Sequence, residues 1–453
     1  MTPLQPHEDE DSLFMLDELE HALLELTAHP YPHVPNPPNY PKRASVALII
    51  RIRPTSQQLC QQLEEDVLQS TADNLRAFFA QPWIKRGTPE ILFIRRATRT
   101  GDRWTGHVAL PGGKRDPEDR DDAAVAVRET WEEIGLDLKS SSVLHAGNLP
   151  ERVVATSWGK RPLMVLCPFV YLLADPRGPL LQLQATEVES VHWVPLQALL
   201  SPSSRTYEYC DVSNRLSRQG GPIIRTFLRA MLGQMMFAAI QLVPTESFYS
   251  SPIASISPYL QTTLESQSLV SMVRSWLFLA RWRNPKPEKP LLLWGLTHGI
   301  VLDFFQQLPS QEAIDFWSYP TFTAFDVRWI IHLMTHSFRQ EKAQVITENM
   351  AIRRSSVDYG NDKDNNISIE VLNSPGLGTS IRPLSAVDIM LDGYYDLITQ
   401  GTLVALMARL ATSILLGYIV IRGRSSFKDF GGSLIEYGMT TLTRLKSVVG
   451  NIY

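Results

Sequence analysis

The amino-acid sequence predicts a protein of the α/β class, and three observations carry that prediction. Strand-like and helix-like segments alternate over residues 45–244, beginning with an apolar run at 46–50. A central helix is predicted because Asp121 and Asp122 suit a helix N-terminus and Gly135 suits the left-handed position that ends one. The chain has 453 residues, of which 44% are hydrophobic, enough for an ordinary core and two or three modules.

The N-terminal residues 1–41 are predicted to form an acidic helix followed by a proline-rich linker. Leucines recur at helical spacing among acidic residues over 12–28, which predicts an amphipathic helix. Six prolines within 30–41 predict an extended, semi-rigid segment. The central domain is therefore expected to begin at residue 42.

The composition changes repeatedly after residue 244. A Ser-rich stretch at about 245–290 is interpreted as an unstructured insertion, and helical patterns then continue to residue 338. A polar, disordered linker is expected over 339–382, followed by a helical segment at 383–453. We therefore expect the chain up to about residue 351 to fold by itself.

Residues 401–421 form the most apolar run in the chain, long enough to cross a bilayer. Arg409 near the centre of this run would cost about 2.5–3.5 kcal/mol on membrane insertion. The basic residues that follow would hold the C-terminus in the cytosol, which conflicts with an acidic N-terminus that lacks a signal sequence. A membrane-spanning helix and an interfacial or packed helix both remain open.

Charge and cysteine content exclude several classes of protein. The formal net charge of −4 excludes a dedicated nucleic-acid binder that works by bulk charge. The three cysteines form no C-x-x-C pair, which argues against a disulfide scaffold or a cysteine-held zinc site. An intracellular location is therefore expected, with the cytoplasm, the peroxisome and the mitochondrion left open.

The central helix is predicted to carry an apolar and an acidic face. The apolar residues fall within about an 80° arc, a core-facing stripe, and they are Ala124, Val127, Trp131 and Ile134. The acidic residues on the opposite side are Glu129, Glu132 and Glu133. Like charges at this spacing repel by about 0.2–0.5 kcal/mol per pair, and a divalent cation would remove that repulsion. A solvated acidic face with Arg128 paired to Glu132 is the alternative.

The run Arg-Glu-Thr-Trp-Glu-Glu-Ile-Gly-Leu at 128–136 matches the second half of the Nudix box, G-x5-E-x7-R-E-U-x-E-E-x-G-U. Upstream, Pro111-Gly112-Gly113 supplies a glycine turn. The chain thus resembles the Nudix hydrolase family, most directly over about 40–245. The resemblance implies an α/β/α sandwich with a mixed sheet, a loop–helix–loop catalytic motif and, in this chain, a helical C-terminal extension.

The arm of the box is one residue longer than the general pattern. That pattern requires Glu at 120 and Gly at 114, where this chain has Arg120 and Lys114; a shift of one residue gives Asp119 and Gly113. The branch of the family that cleaves coenzyme A has this longer arm. The chain is also similar to that branch in its upstream signature and in a helix beginning near 293–297, which extends the expected domain to 42–306. The signature residues are Leu92, Arg96, Ala97, Arg103 and Gly106.

The resemblance implies roles for the charged residues of the box. Glu129 and Glu133 are the firmest expected ligands of Mg²⁺ or Mn²⁺, and Glu132 is expected to be a further metal ligand or the general base. Arg128 is expected to orient these carboxylates by ion pairing. Two further roles stay open: Glu187 or Glu189 as a remote base, and Asp116 and Asp119 as extensions of the metal site.

The expected substrate-binding residues are Arg96, Arg103, Gly112, Gly113 and Lys114. Arg95 and Arg96 are adjacent on a strand and point to opposite faces, and the branch signature favours Arg96. The expected reaction is metal-dependent hydrolysis of coenzyme A or acyl-coenzyme A to 3′,5′-ADP and a phosphopantetheine.

Two other functions stay open. One is hydrolysis of another nucleoside diphosphate derivative, such as an oxidised dNTP, NADH or ADP-ribose. The other is an inactive Nudix module kept for binding, although three crowded glutamates argue against it.

Overall fold

The structure is a computed structural model of the chain. The residues that it describes are 6–38, 40–55, 71–99, 104–155, 162–212, 226, 229–250, 290–308, 310, 317–359 and 385–449. They fall into two compact units. The first comprises residues 1–210, 235–321 and 337–395, and the second comprises 211–234, 322–336 and 396–453.

A mixed nine-stranded sheet forms the centre of the first unit. Its strands are β1 (Arg43–Arg53), β2 (Thr88–Arg96), β3 (Val108–Ala109), β4 (Gly112–Lys114), β5 (Val143–Asn148), β6 (Arg152–Ala155), β7 (Pro162–Leu173), β8 (Val188–Pro195) and β11 (Glu246–Tyr249). The strand order is β11-β8-β2-β1-β7-β5, with β3, β4 and β6 paired to β2, β1 and β7. The β1–β7 pair is parallel, and β1 pairs antiparallel with β2 and β4.

Helices cover both faces of this sheet, so the predicted α/β/α sandwich is confirmed. The side chains of β1 alternate between two apolar clusters: Ala47 and Ile49 enter one, and Leu48 and Ile50 enter the other. The first cluster includes α3 (Asp122–Ile134). The second includes α1 (Pro6–Ala28) and α2 (Thr71–Phe79). The period-two alternation of a two-sided strand explains this arrangement.

The remaining elements of the first unit form a smaller antiparallel sheet and several helices. Strands β9 (Arg205–Cys210) and β12 (Leu292–Trp294) both pair with β10 (Met235–Gln241). The predicted strand-to-helix transition at 191–196 is present as β8 and α4 (Leu196–Leu200). The expected helix after Trp294 is α5 (Gly295–Phe305).

The N-terminal segment packs into the first unit. Helix α1 covers the predicted 12–28, and four of its leucines are buried in the core: Leu16, Leu19, Leu23 and Leu26. The proline-rich segment is held by side chains of the domain: the N–H of Tyr31 donates to Asn148, and that of Val34 donates to Glu151. The described residues 6–38 therefore do not form a separate appendage.

Two expected irregular segments contain regular structure. Residues 246–249 form an edge strand beside β8, because Phe248 packs on the core while the backbone extends the sheet. Residues 251–289 of the predicted insertion lie outside the described residues. The predicted linker at 339–382 is helical up to residue 359, in α7 (His336–Tyr359), which contains neither glycine nor proline. The remainder of that linker also lies outside the described residues.

Residues beyond the polar stretch contribute to the core of the first unit. Ser385 begins α8 (Ala386–Leu391), whose Val387 and Met390 are buried in the larger apolar cluster. The Ser385 hydroxyl donates to Asp303 at 2.6 Å and accepts from Arg152 at 2.9 Å. The expectation that folding is complete by residue 351 is therefore wrong, since α8 supplies core side chains and a buried polar partner.

The described helices of the second unit include α6 (Phe325–Met334) and most of α9 (Tyr394–Val449). Strand β13 (Thr321–Phe322) lies at the boundary between the units. The stretch Ala386–Val420 meets the length and composition required of a membrane span, and only 6% of its most apolar window is buried.

Candidate metal-binding and catalytic site

The catalytic helix α3 begins and ends as its sequence predicts. The Asp121 side chain accepts from the N–H of Ala124 at 2.8 Å, and Gly135 ends the helix with φ of 69°. The predicted orientation of the faces is wrong at Trp131, which is 59% exposed. The buried side includes Ala126, Thr130 and Glu133, and the small side chains of Ala126 and Thr130 let the helix lie close to the sheet.

This rotation directs two of the predicted metal ligands toward the glycine turn. The N–H of Gly112 donates to Glu133 Oε2 at 2.9 Å. A β-carbon at Gly113 would lie 2.3 Å from the carboxylate carbon of Glu129, so only glycine leaves room for that carboxylate. Gly112 has φ of 151°, and a β-carbon there would lie 2.2 Å from the carbonyl oxygen of Ser45. Close backbone approach thus requires glycine at 112, whereas at 113 the Glu129 carboxylate occupies the space that a β-carbon would take.

Burial makes the negative charges of this site costly. It raises the pKa of Glu133 to about 8, a shift that Gly112 and Arg96 oppose only in part. It also raises the pKa of Glu129, against the effect of the Arg128 charge. The carboxylates add to each other's shifts, since Glu129 raises the pKa of Glu133 and Glu132 raises that of Glu129. A cation at this position would stabilise the ionised forms.

Arg128 connects the helix to the arm of the box. Its Nε and Nη2 donate to the two oxygens of Asp119, each at 3.0 Å. Its Nη1 donates to Glu129 at 3.1 Å and to Glu132 at 3.0 Å. The hydrogen bond with Arg128 lowers the pKa of Asp119, and the same bond raises that of Arg128. Asp119 is therefore the partner of Arg128, which disfavours the alternative that it extends the metal site.

The other predicted site residues occupy the edge of the same region. Arg96 is half-buried, with Nη1 4.0 Å from Glu133 Oε1, whereas Arg95 pairs with Glu189 at 3.4 Å. The predicted choice of Arg96 over Arg95 agrees with this geometry. Lys114 is exposed on β4, and its carbonyl accepts from Arg128 at 3.0 Å. Arg103 lies outside the described residues.

Of the two candidate remote bases, Glu187 is the one near the box. Its charge raises the pKa of both Glu129 and Glu133, and it is held by Arg99 at 2.9 Å. Glu189 instead lies with Arg95. Glu187 thus keeps the role of a candidate base or additional acid.

A second group of potential metal ligands surrounds Arg43 and is already neutralised. His33, Asp122 and Glu151 offer ligand atoms within 4.8 Å of one another. The Arg43 guanidinium lies among them, 2.7 Å from Asp122 and 2.6 Å from Glu151. This group therefore serves as a buried anchor for the N-terminal end of α3.

Sequence reasoning missed an aromatic cluster beside Arg96. The His107 ring lies 5.0 Å from that of Trp294 and 5.9 Å from that of Trp104, which is 49% exposed. The N–H of Arg96 donates to the carbonyl of His107 at 3.0 Å, so the rings adjoin the site. The available signal was a tryptophan within the signature segment that ends at Gly106.

The donor set fits a hard divalent cation. Glu129, Glu132 and Glu133 offer only carboxylate oxygens, which Mg²⁺ and Mn²⁺ prefer. Two of them are buried carboxylates with raised pKa values, whose ionised forms a cation would favour. Glu132 is 54% exposed and is held by Arg128 at 3.0 Å, so its carboxylate lies outside the core.

Comparison with known proteins gives a consistent family match. A family model described as NUDIX domain matches residues 80–209. A Schizosaccharomyces pombe protein, C14C4.10c, is 34% identical over 327 residues, which cover 71% of this chain and 83% of that protein. The Nudix hydrolase NudL of Photorhabdus laumondii is 36% identical over 143 residues, which cover 32% of this chain and 70% of that protein.

Two curated relatives are coenzyme A diphosphatases, and this chain matches half of their length or less. The human mitochondrial coenzyme A diphosphatase NUDT8 is 34% identical over 27% of this chain and 49% of that protein. The peroxisomal coenzyme A diphosphatase ndx-8 of Caenorhabditis elegans is 36% identical over 22% of this chain and 38% of that protein.

Proposed function

The chain belongs to the Nudix hydrolase family and is a Nudix-type pyrophosphatase, and we propose that its substrate is coenzyme A or an acyl-coenzyme A. The observation that carries this proposal is the longer arm of the box, closed by the pair of Arg128 with Asp119. The similarity to two coenzyme A diphosphatases supports the same substrate.

Nudix hydrolases use divalent cations, and we propose Mg²⁺ or Mn²⁺ held by Glu129 and Glu133. The cation would neutralise diphosphate oxygens and make water a better nucleophile. Glu132 is proposed as a further ligand or as the base that takes the proton of the attacking water. Arg128 holds Glu129 and Glu132 in place from the side of the arm. Water attacks one phosphorus, the P–O–P bond breaks, and the leaving phosphate keeps the electron pair of that bond.

The nucleotide end of the substrate would lie toward Arg96. The Arg96 guanidinium suits the 3′-phosphate that distinguishes coenzyme A from most other diphosphates. Trp104, half-exposed with its ring 5.9 Å from that of His107, suits stacking on the adenine base. Gly112, Gly113 and Lys114 would border the diphosphate, and Arg103 is proposed as a second phosphate contact.

Two other functions remain as alternatives. A nucleoside diphosphate hydrolase acting on an oxidised dNTP, NADH or ADP-ribose would use the same carboxylates without needing a 3′-phosphate contact. A binding module without catalysis would not need three neighbouring carboxylates, because holding their negative charges close together in a partly buried site costs free energy. The raised pKa of Glu133 is such a cost, and it favours a catalytic site.

A comparison of closely related substrates tests the proposal. The chain, supplied with Mg²⁺ or Mn²⁺, is offered coenzyme A, dephospho-coenzyme A, NADH and ADP-ribose. We expect kcat/KM for coenzyme A to exceed that for dephospho-coenzyme A by at least about 10-fold, since one charge-assisted contact contributes about 1.5–3 kcal/mol. Equal values for the two would favour the nucleotide hydrolase.

We propose an intracellular location for this activity. The named relatives are mitochondrial and peroxisomal proteins by their descriptions, and the cytoplasm is the third candidate. Fractionation of cells that express a tagged chain distinguishes the three. We also propose that the chain is attached to a membrane through residues 401–421, which lie in helix α9 of the second unit.

A further inference from the structure

The most apolar surface among the described residues is the α9 segment of the second unit. Every residue from 411 to 420 is exposed, around the full circumference of the helix. The large apolar side chains among them are Ile414, Leu415, Leu416, Tyr418, Ile419 and Val420. A helix that is apolar all round requires an apolar environment on every side.

We propose that α9 inserts into a lipid bilayer and crosses it with residues 401–420. A helix of about 20 residues is about 30 Å long, the thickness of the hydrocarbon core. A protein groove covers one face of a helix, whereas lipid surrounds it. Residues 411–420 are exposed on all faces, and Gly401, Thr402 and Ala405 are buried on one side of the preceding turns. The basic residues Arg422, Arg424 and Lys428 follow the apolar run, where they suit phosphate headgroups.

Two polar side chains inside this segment, Thr412 and Ser413, are satisfied by the helix itself. The Thr412 hydroxyl donates to the carbonyls of Ala408 and Arg409, at 3.0 and 2.9 Å. The Ser413 hydroxyl donates to the Arg409 carbonyl at 2.8 Å. The helix continues without interruption from 394 to 449, so its backbone groups are also paired. Both properties remove the cost of placing polar groups in hydrocarbon.

Arg409, the main obstacle to insertion, has a counter-charge within the second unit. Its Nε donates to Asp326 Oδ2 at 2.5 Å, and its Nη2 contacts the other oxygen of the same carboxylate. Its Nη1 also contacts the carbonyl of Met231. A paired and hydrogen-bonded arginine enters an apolar phase far more readily than an isolated one. The cost predicted from the sequence includes only the charge of Arg409 and leaves out this pairing.

Helix α6, which supplies Asp326, adds to the apolar surface. Phe325, Trp329 and Leu333 recur every fourth residue on one side of α6, and all are more than half exposed. Ile331 on another side approaches Gly401, where a β-carbon would lie 3.0 Å from its side chain. The small residue lets α6 lie against α9, so the two helices would enter the lipid phase as a pair.

Membrane extraction of the full-length chain tests this proposal. We expect wild-type protein to remain in the membrane pellet of expressing cells after alkaline carbonate treatment. The Leu415→Lys/Ile419→Lys variant should lower the retained share by at least about 10-fold. Leu180→Lys, at a leucine that is 93% exposed in the first unit, is the matched control and should not change it. Release of wild-type protein by carbonate would overturn the proposal.

The ion pair gives a second, independent test. Asp326→Leu leaves Arg409 without its counter-charge and should lower carbonate resistance, whereas the double variant Asp326→Leu/Arg409→Leu should restore it. Circular dichroism in detergent checks that each variant is folded. Equal loss in the single and the double variant would contradict the role of the pair. A stable dimer of wild-type protein in detergent-free buffer, with no binding to phosphatidylcholine–phosphatidylserine vesicles, would identify a second copy as the occupant and overturn the proposal.

Discussion

Arg128 holds Asp119 through two parallel hydrogen bonds of 3.0 Å, one to each carboxylate oxygen. This pair attaches the arm of the Nudix box to its helix. The general pattern has glutamate one position nearer the helix, at 120. In this chain the longer arm places Asp119, whose side chain is one methylene shorter, against Arg128. The same guanidinium contacts Glu129 and Glu132, and the arm thereby sets the position of those carboxylates.

Arg128→Lys should therefore lower kcat by at least about 10-fold while leaving the chain folded. Lysine keeps the charge but loses the planar fork that contacts Asp119 and the two glutamates together. Arg120→Lys is the matched control, because Arg120 lies on the same arm with a side chain that is 92% exposed. Comparable kcat values for the two variants would contradict a positioning role for Arg128.

Glu133→Gln should lower kcat by at least about 100-fold without loss of fold. Glutamine can still accept from the Gly112 N–H, and it removes a buried carboxyl group whose pKa is raised to about 8. Steady-state kinetics and the melting temperature in the presence of chelator give the two readouts. Near-normal turnover in this variant would remove Glu133 from the site.

Glu132→Gln should also lower kcat by at least about 100-fold, and thermal shifts then separate its two candidate roles. If Glu132 is a ligand, the Mg²⁺-dependent rise in melting temperature should fall along with kcat. If it is the base, that rise should persist while kcat falls. Normal turnover would exclude both roles and direct attention to Glu187.

Trp104→Ala should raise KM for coenzyme A by about 5- to 30-fold with little change in kcat. Stacking of a base on an aromatic ring contributes about 1–3 kcal/mol of binding, and the ring is distant from the reacting phosphorus in this account. Trp104→Phe, which keeps a ring, should recover most of the affinity. An unchanged KM in the alanine variant would show that the aromatic cluster only packs.

Acid should destabilise the first unit partly through His192. Burial, with a smaller effect of the Arg95 charge, lowers the pKa of His192 to about 4. The neutral imidazole is thus favoured in the folded state, so its contribution is complete above about pH 6.5 and is lost as the pH falls toward 4. Between about pH 6 and 4.5, His192→Gln should reduce the slope of unfolding free energy against pH by about 1.4 kcal/mol per unit. An unchanged slope from denaturant titrations would contradict this.

Ser385→Ala should lower the free energy of unfolding by about 1–3 kcal/mol, because its hydroxyl lies between the buried groups of Asp303 and Arg152. Ser203→Ala, at an exposed serine whose hydroxyl lies 2.8 Å from that of Ser201, is the control and should change little. A melting temperature equal to wild type would show that this buried contact does not stabilise α8.

The sequence predicted the parts of the fold that depend on local pattern. The ends of α3 follow from Asp121 and Gly135, and the sandwich follows from the alternation of strands such as β1 with helices. The glycine turn and the three glutamates are recognisable because their residue types and spacing together match the Nudix box. These features depend on backbone conformation and on periodicity, both of which are local properties of the chain.

Features set by distant contacts could not be predicted. The rule that apolar residues face the core gave the wrong orientation of α3, because the helix buries Thr130 and Glu133 and leaves Trp131 in solvent. Arg152 pairs with Asp303 in α5, and the Ser385 hydroxyl forms hydrogen bonds with both side chains. Asp326 likewise offsets Arg409 from a separate helix. Such pairs have no signature in a single sequence.

The most direct test of the central claim is identification of the products formed from coenzyme A. The wild-type chain and its Glu133→Gln variant are incubated with coenzyme A and Mg²⁺ or Mn²⁺, and the products are resolved by mass spectrometry. We expect equal amounts of 3′,5′-ADP and 4′-phosphopantetheine from wild-type protein. The variant should form both products at least about 100-fold more slowly. Intact coenzyme A after prolonged incubation with either metal, or the same products formed equally fast by the variant, would contradict it.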